Sequence, residues 1–230
     1  MKQWYIVAGL SALVLGGCGK QNLQPADFEK LTADFVYSTL AIAPVSATAA
    51  GYHTHNGISL DSILDDPSPA GLEAQRKHFR DWKTRLANLD AKSLDPEAQA
   101  DLEMMSGQVD LALLELDTLQ SWKHNPTVYV ETIGNAIFTP YSVEYAPAAD
   151  RWQHIIGRLR AVPAYLQAAQ SSLADSNAVW TKVAIEENDG NLGLVEQVFP
   201  SKVPENLKAD YDAAAKPAAA AMRAFNDHLK

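Results

Sequence analysis

The chain has 230 residues, of which 47% are hydrophobic and 20% charged, and its formal net charge is -9. These proportions are ordinary for a folded globular protein and exclude an intrinsically disordered chain. The acidic balance, without a basic stripe interleaved with aromatic residues, argues against nucleic acid as a partner, because an acidic surface repels phosphate backbones.

Residues 1–17 have the layout of a secretory leader. Lys2 is followed by an apolar run from Trp4 to Leu15 and then by two glycines. A basic start, a short apolar segment and small residues before the cleavage point are typical of such leaders. The apolar run is shorter than the roughly 20 residues that a membrane-spanning helix needs.

The only cysteine, Cys18, directly follows Leu15-Gly16-Gly17. This arrangement resembles the bacterial lipobox, in which the thiol is lipidated and the leader is cut just before it; an uncleaved leader or an ordinary buried cysteine is the alternative. Several acyl chains would anchor the protein stably, and no thiol would remain for a disulfide. We therefore predict a lipid-anchored protein of the bacterial cell envelope. By analogy, Gly19 instead of Asp indicates the outer membrane, facing the periplasm.

Residues 18–26 then form a lipidated tether and residues 27–230 a helical domain. The domain is predicted to be all-α, a bundle-like array of long amphipathic helices that forms part of a larger helical domain, because apolar residues recur at spacings of three and four. The first helix contains Phe28, Leu31 and Phe35 and ends before Pro44. The stretch from Pro44 to about Asp66 has no helical period and is predicted to be a long loop or an extended arm.

Two proline-containing start signals follow. Ser68-Pro69 and Asp95-Pro96 each place a capping side chain before a proline at the first helical position. The second of these helices is predicted to be the longest of the chain, running through Trp122. Its apolar stripe comprises Leu102, Met105, Val109, Ala112, Leu116 and Leu119.

His124-Asn125-Pro126 ends that helix, because a residue before proline is pushed out of the helical region. The next segment, TVYVETIGNAIFTPYSVEYAP, is ambiguous between strand and helix, and we favour a helix. A helix from Ala148 is either kinked or restarted at Pro163. A further helix begins at about Asn177, with Gly190 and Gly193 as candidate interruptions before Pro200.

The last helix is alanine-rich and reaches the end of the chain on an apolar position. Its stripe comprises Leu207, Tyr211, Ala214, Ala218, Phe225 and Leu229. A stripe that stops without a terminal glycine, proline or polar tail indicates that its packing partner lies outside this chain, although an ordinary docked C-terminal helix has the same pattern.

Taken in order, three segments resemble a bacterial family catalogued as domain of unknown function 885. They are PVSATAAGYHTHNG, SWKHNPTVYV and YAPAADRWQHIIGRLRAVPAYLQAAQSSL, behind a lipoprotein leader. The landmark residues are Ala47, Thr48, Gly51, His53, Trp122, Asn125, Pro126, Tyr129, Arg158, Leu159, Pro163 and Leu166. The resemblance covers the chain from about Phe28 to its end.

The resemblance implies an all-helical envelope protein that looks like a zinc metallopeptidase. Members of the family are considerably longer, and their presumed catalytic signature, a His-Glu pair with further histidines, lies in the C-terminal half. None of the six histidines here is followed by glutamate. Such chemistry needs a carboxylate beside the metal to take a proton from bound water. We therefore expect no catalytic residue and no cofactor in this chain, with zinc left to a full-length relative.

His53 and His55 are weak metal candidates. Residues i and i+2 of an extended segment point to the same side, so the two rings could share an ion if Asp61, Asp65 or Asp66 supplied a third ligand. The alternative, which we favour, is a polar arm at the mouth of the family's cleft.

The other candidates have simpler structural explanations. Glu186, Glu187 and Asp189 are more typical of a solvated helix face than of catalytic carboxylates. The segment with Trp122, Asn125, Pro126 and Tyr129 could bind substrate through its aromatics or simply end a helix and pack into the core. The tryptophans at positions 82, 152 and 180 are predicted to be core residues.

Two functions remain open. In the first, the chain is the scaffold and substrate-cleft part of an envelope peptidase and is inactive alone. In the second, it is a non-catalytic, lipid-anchored helical module that binds peptides or partner proteins. The sequence does not determine an oligomeric state.

Overall fold

The structure, a computed structural model, describes residues 20–230. The predicted leader and the lipidation site Cys18 lie outside the described residues. Within these, the structure is helical apart from one small hairpin that pairs Thr54–His55 with Ile58–Ser59. The predicted all-α class is confirmed.

The α-helices are numbered in chain order. They are α1 (Pro25–Ala41), α2 (Pro44–Ala49), α3 (Pro69–Ala87), α4 (Pro96–Leu114), α5 (Ser121–His124), α6 (Thr127–Ser142), α7 (Ala148–Ser172), α8 (Ala178–Gly193) and α9 (Lys208–Leu229). Single wider π-turns, Glu115–Leu119 and Leu194–Val198, continue α4 and α8. Short 3₁₀ turns lie at Ala91–Ser93, Phe199–Ser201 and Glu205–Leu207.

The predicted helix starts are confirmed. The Ser68 hydroxyl accepts a hydrogen bond from the Gly71 amide at 3.1 Å at the start of α3. At the start of α4, the Asp95 carboxylate accepts two amide hydrogen bonds, each of 3.0 Å. Each cap satisfies amides that have no partner within the helix.

The N-terminal half packs α1, α3 and α4 around a first core, here the N-terminal cluster. Its buried residues are Phe28, Leu31, Phe35, Leu72, Phe79, Trp82, Leu86, Leu89, Leu94, Leu102, Met105, Val109 and Leu116. Phe35 meets Trp82 edge to face, with ring centroids 5.2 Å apart. Exposed ion pairs such as Arg85 with Asp34 cross between the helices outside this core.

The C-terminal half packs α6, α7, α8 and α9 around a second core, here the C-terminal cluster. Members that are wholly or almost wholly buried include Ile133, Ile137, Ile155, Leu159, Leu166, Met222 and Phe225. Buried asparagines also join its helices: the Asn188 side-chain amide donates to the Met222 carbonyl at 2.8 Å, and that of Asn191 donates to the Val130 carbonyl at 2.9 Å. Trp122 packs partly buried against both clusters.

Three expectations about helices are wrong. The longest α-helix of the described chain is α7, with 25 residues, and not α4. The α4 helix does not run through Trp122, because Gln120 adopts a left-handed conformation with φ 51° and separates it from α5. Leu119, just before that break, is 53% exposed instead of belonging to the buried stripe.

The predicted core position of Trp180 is also wrong. Trp82 and Trp152 are buried, whereas Trp180 is 41% exposed. Trp180 lies in the first turn of α8, where the helix has just begun. A spacing pattern identifies a helix face but cannot show how far the neighbouring helices extend along it.

The remaining ambiguities are resolved in favour of continuous helices. The segment after Pro126 is helical, α7 passes through Pro163 without a break, and α8 passes through Gly190 to Gly193. Of the two alternatives left open for α9, the structure supports the docked helix, because its stripe packs along α7 with Phe225 fully buried. No helix of residues 20–230 has the length and apolar character that a membrane crossing requires.

Candidate functional site

The segment from 44 to 66, here called the arm, is more ordered than the predicted loop. It begins with α2, turns at Gly51 with φ 78°, and then forms the hairpin, whose turn contains Asn56 and Gly57. Positive φ at both turn positions suits an Asn-Gly pair. The Leu60 amide donates to the His53 carbonyl at 2.9 Å, which closes the hairpin and fixes where His53 lies.

Arg158 of α7 attaches the arm to the C-terminal cluster. Its side chain is fully buried. The guanidinium donates to the carbonyls of Ile63 at 3.2 Å and Ala136 at 2.9 Å, and to the Thr48 hydroxyl at 2.6 Å. The carbonyls of Pro44 and Leu60 accept longer bonds of 3.3 and 3.4 Å. One buried cation therefore joins both ends of the arm to α6 and α7.

Asp61 continues this network toward the surface. The Thr48 hydroxyl lies 2.7 Å from the Asp61 carboxylate. The same oxygen of Asp61 lies 3.0 Å from Nδ1 of His53, whose side chain is 31% exposed. The path from Arg158 through Thr48 and Asp61 to His53 thus leads from a closed interior to solvent.

Two further side chains complete the cluster around Asp61. The ring of Tyr145 stacks on His53 with centroids 4.4 Å apart, and its hydroxyl lies 3.0 Å from Nδ1 of His154. Nδ1 of His154 also lies 3.8 Å from the second oxygen of Asp61. A buried carboxylate is therefore flanked by two imidazoles, with a tyrosine ring between them.

A close backbone approach explains why glycine precedes Arg158. A Cβ atom added at Gly157 would lie 3.0 Å from the Ser62 carbonyl oxygen and 3.1 Å from its Cβ atom. These contacts are too short for an unstrained fit, so the absence of a side chain lets the arm lie flat on α7. Beside it, the Asp65 carboxylate accepts the Val45 amide at 3.0 Å.

Burial dominates the electrostatics of this region. It lowers the pKa of Arg158, although Tyr145, Asp61 and Asp65 act against that effect. Burial raises the pKa of Asp65. It lowers the pKa of His154, and the negative charge of Asp61 partly offsets this second shift. Burial also raises the pKa of the Tyr145 hydroxyl to about 12, so the phenol stays protonated at neutral pH.

The arrangement leaves one imidazole nitrogen for an outside group. With Nδ1 of His53 hydrogen-bonded to a buried carboxylate, the ring is oriented with Nδ1–H donating and Nε2 as the acceptor. No group among residues 20–230 hydrogen-bonds to that Nε2 atom. Such an imidazole can accept a hydrogen bond or a proton from a bound molecule.

His55 has different partners from His53. Its Nδ1 lies 2.8 Å from the Tyr52 hydroxyl and its Nε2 lies 3.1 Å from the Asn56 amide. Of the three predicted third ligands, Asp61 contacts His53, while Asp65 caps α2 and Asp66 accepts from the Ser68 amide at 3.0 Å. Within the described chain, no three His, Cys, Asp or Glu side chains are placed to hold a metal ion together.

The motif from Trp122 to Tyr129 makes structural contacts. The Trp122 indole donates to the Leu116 carbonyl at 3.3 Å, and the Tyr129 hydroxyl donates to the Trp122 carbonyl. The Asn125 side chain accepts from the Thr127 amide at 3.0 Å, beside Pro126 at the start of α6. These contacts fix the turn between the two clusters.

The carboxylates of α8 diverge. Glu186 pairs with Lys182 at 3.7 Å on the exposed face, and Asp189 accepts from the Asn226 amide at 2.8 Å. Burial and the neighbouring Glu131 raise the pKa of Glu187. Glu186 and Asp189 have separate partners, whereas Oε2 of Glu187 is buried without a hydrogen bond from the described residues. The three side chains do not form one catalytic cluster.

Sequence reasoning offered His53 as a weak metal candidate, with Asp61 as one of three possible third ligands, but it missed the other four members of the cluster. Thr48 and Arg158 appeared only as family landmarks, and Tyr145 and His154 were not selected. The Gly-Arg pair in the middle of a long helix was an available signal, since an arginine on a buried helix face needs acceptors from elsewhere.

Comparisons with known proteins agree with this fold. A family model described as bacterial protein of unknown function (DUF885) matches residues 44–230, which is the arm and everything after it. No curated protein matches the chain.

One similar solved structure is described as "a putative lipoprotein of unknown function from Shewanella oneidensis", with a TM-score of 0.76 and 21% identity. The match covers 88% of this chain but only 37% of that protein, so the fold likeness concerns a minor part of the longer molecule. On the strength of the family match, the chain belongs to the bacterial family of unknown function DUF885.

Proposed function

We propose that this chain is the N-terminal, non-catalytic part of a lipid-anchored cell-envelope protein, and that its arm lines a substrate cleft completed by further chain. The proposed anchor is Cys18, and the proposed location is the periplasmic face of the outer membrane. The lipobox pattern supports the anchor, as does the description of the similar Shewanella protein as a lipoprotein. That this chain matches a minor part of that protein supports a larger whole.

The single observation that carries the cleft is His53, whose side chain is 31% exposed. Its Nδ1 atom lies 3.0 Å from Asp61, which is 97% buried and is itself fixed by Thr48. A fixed carboxylate that hydrogen-bonds one ring nitrogen holds the imidazole in one orientation, with the other nitrogen toward a ligand. An ordinary surface histidine has no such hydrogen bond.

His53 in this proposal positions substrate and does not itself catalyse. Its Nε2 atom would accept a hydrogen bond from a substrate amide, and the Tyr145 ring, stacked at 4.4 Å, would keep the imidazole from turning. Any hydrolytic machinery would come from chain outside these 230 residues, as the absence of a His-Glu pair from this sequence implies.

The intact mass of the native product, extracted from its own membranes, is the first test. We expect acyl groups on Cys18 and a mass well above that of residues 18–230 with those groups. A product that matches residues 18–230 with acyl groups would contradict the larger protein.

Peptide hydrolysis is the second test. We expect the purified 230-residue chain not to cleave a mixed peptide pool, with or without added zinc, as followed by mass spectrometry. Cleavage that a chelator abolishes would overturn the non-catalytic assignment.

A second candidate function is a self-contained, lipid-anchored module that binds peptides or proteins. It is favoured by the two well-packed clusters, which bury their own helix faces, including that of α9, among the described residues. A native product that ends at Lys230 and unfolds cooperatively would select this candidate over the first.

A further inference from the structure

A groove lies between α1 and the start of α4, on the N-terminal cluster and apart from the His53 site. Its volume is about 530 Å³, within the range of pockets that bind small ligands or a few peptide side chains. Small residues on the two helices, Ala33 and Ala98, face the groove and leave the space between them.

The floor of the groove is apolar. It is formed by Phe28 and Leu94, which are almost fully buried, and by Val36, which is 42% exposed. An exposed valine beside buried aromatic and leucine side chains extends the core surface into solvent. An occupant with apolar side chains would remove this surface from water.

The rim is acidic. Four carboxylates line the groove, from Glu29, Asp95, Glu97 and Asp101, and all four residues are exposed. No lysine, arginine or histidine of the described chain lines it. Lys30, next in sequence to Glu29, lies on the neighbouring face of α1 and is 3.9 Å from Asp27. The charge of the groove is therefore of one sign.

One end of the groove reaches the arm. Tyr37 of α1 lines the groove, and its ring lies 4.8 Å from that of Tyr52, centroid to centroid. The Tyr52 hydroxyl in turn contacts His55. An extended chain lying in the groove would thus run toward the hairpin of the arm.

We propose that this groove binds extended peptide segments in which basic and apolar residues alternate. The floor takes the apolar side chains, and the carboxylates take the lysine or arginine side chains above them. Side chains alternate in direction along an extended peptide, so the two sets separate onto floor and rim. The acidic rim repels acidic segments, so among apolar peptides it favours those that also carry basic residues.

Binding of the fluorescent peptide Lys-Leu-Lys-Leu-Lys-Leu to the full chain, followed by anisotropy, tests the proposal. Glu-Leu-Glu-Leu-Glu-Leu and Lys-Ser-Lys-Ser-Lys-Ser are the control peptides. We expect only the first peptide to bind, and its affinity to fall as salt is raised, because salt screens exposed charges. Equal binding of the Glu-Leu peptide would overturn the proposal.

Matched variants locate the binding. Asp101→Lys, on the rim, should weaken binding about three- to tenfold through one lost attraction and one new repulsion. Glu103→Lys is the control, since Glu103 is also exposed on α4 and carries the same change of charge but does not line the groove. Equal effects of the two variants would mean general electrostatics and would overturn the proposal.

A blocking variant tests the floor. Ala33→Trp places a large ring in the groove from an exposed position of α1, and we expect it to abolish binding while circular dichroism stays unchanged. Unchanged binding would overturn the proposal. So would concentration-dependent self-association, measured by sedimentation, that Ala33→Trp removes, because the occupant would then be a second copy of the chain. None of these results depends on His53, so the cleft proposal is tested separately.

Discussion

The N-terminal and C-terminal clusters are both made of amphipathic helices but are stabilised differently. Many side chains of the C-terminal cluster have no exposed surface, and buried asparagines join its helices. Most core residues of the N-terminal cluster keep a few per cent of their surface exposed. Exposed ion pairs join helices in both clusters, such as Lys83 with Asp110 in the first and Arg160 with Asp210 in the second. Exposed pairs add little free energy.

This difference between the two clusters indicates which part of the molecule is more rigid. The deeper cluster provides a fixed platform, and Arg158 attaches the arm to it. The arm also contacts α1 of the shallower cluster, where the rings of Tyr37 and Tyr52 lie 4.8 Å apart. The peptide groove, in contrast, lies on the shallower cluster. A site that needs accurate geometry and a surface that accommodates a flexible segment therefore occupy different halves.

Loss of the link to the platform should have the largest effect. Arg158→Met leaves Asp61 buried without its cationic neighbour, and we expect the free energy of unfolding to fall by about 3–5 kcal/mol. Urea unfolding measures this change. Arg160→Met is the control, since Arg160 pairs with Asp210 in solvent, and should cost at most about 1 kcal/mol. A loss for Arg158→Met no larger than that of the control would show that the arm is held by packing alone.

Matched core truncations should give the next largest effect. Leu159→Ala removes a fully buried side chain from the C-terminal cluster, and Leu102→Ala removes one that is 8% exposed from the N-terminal cluster. We expect losses of about 4–5 and about 2–3 kcal/mol, because the cavity in the shallower cluster can collapse or fill with water more easily. Urea unfolding of both variants measures the difference. Equal losses would mean that the clusters do not differ in rigidity.

The pH dependence of stability should give the smallest effect. Burial lowers the pKa of His154 in one half and of His78 in the other below the usual 6.5. A histidine with a lowered pKa in the folded state takes up its proton more readily when unfolded. Each of these histidines should therefore leave the free energy of unfolding unchanged above about pH 7. That free energy should decrease as the pH falls from the unfolded pKa of 6.5 to the lower pKa of the folded state.

Each substitution should remove part of that decrease. His154→Gln and His78→Gln should flatten the fall in unfolding free energy between about pH 7 and pH 5, measured by urea titration at each pH. A slope unchanged in both variants would show that acid loss of stability arises from other groups.

The helical class, the capped helix starts and the family could all be predicted from the amino-acid sequence. These follow from local rules: apolar spacing, a capping side chain before proline, and the order of landmark residues. The break at His124-Asn125-Pro126 was predictable for the same reason. Local patterns also pointed to His53, although as a weak metal candidate for which Asp61 was one of three possible third ligands.

The residues that complete the site, and the helix faces that are covered, became apparent only from the packing of the helices. His154 and Arg158 lie about a hundred positions after Asp61, and no periodicity relates the two segments. Trp180 and Leu119 follow an apolar spacing but are exposed. The stripe of α9 is covered because α7 lies along it. Burial depends on how whole helices are arranged, and a local pattern does not contain that information.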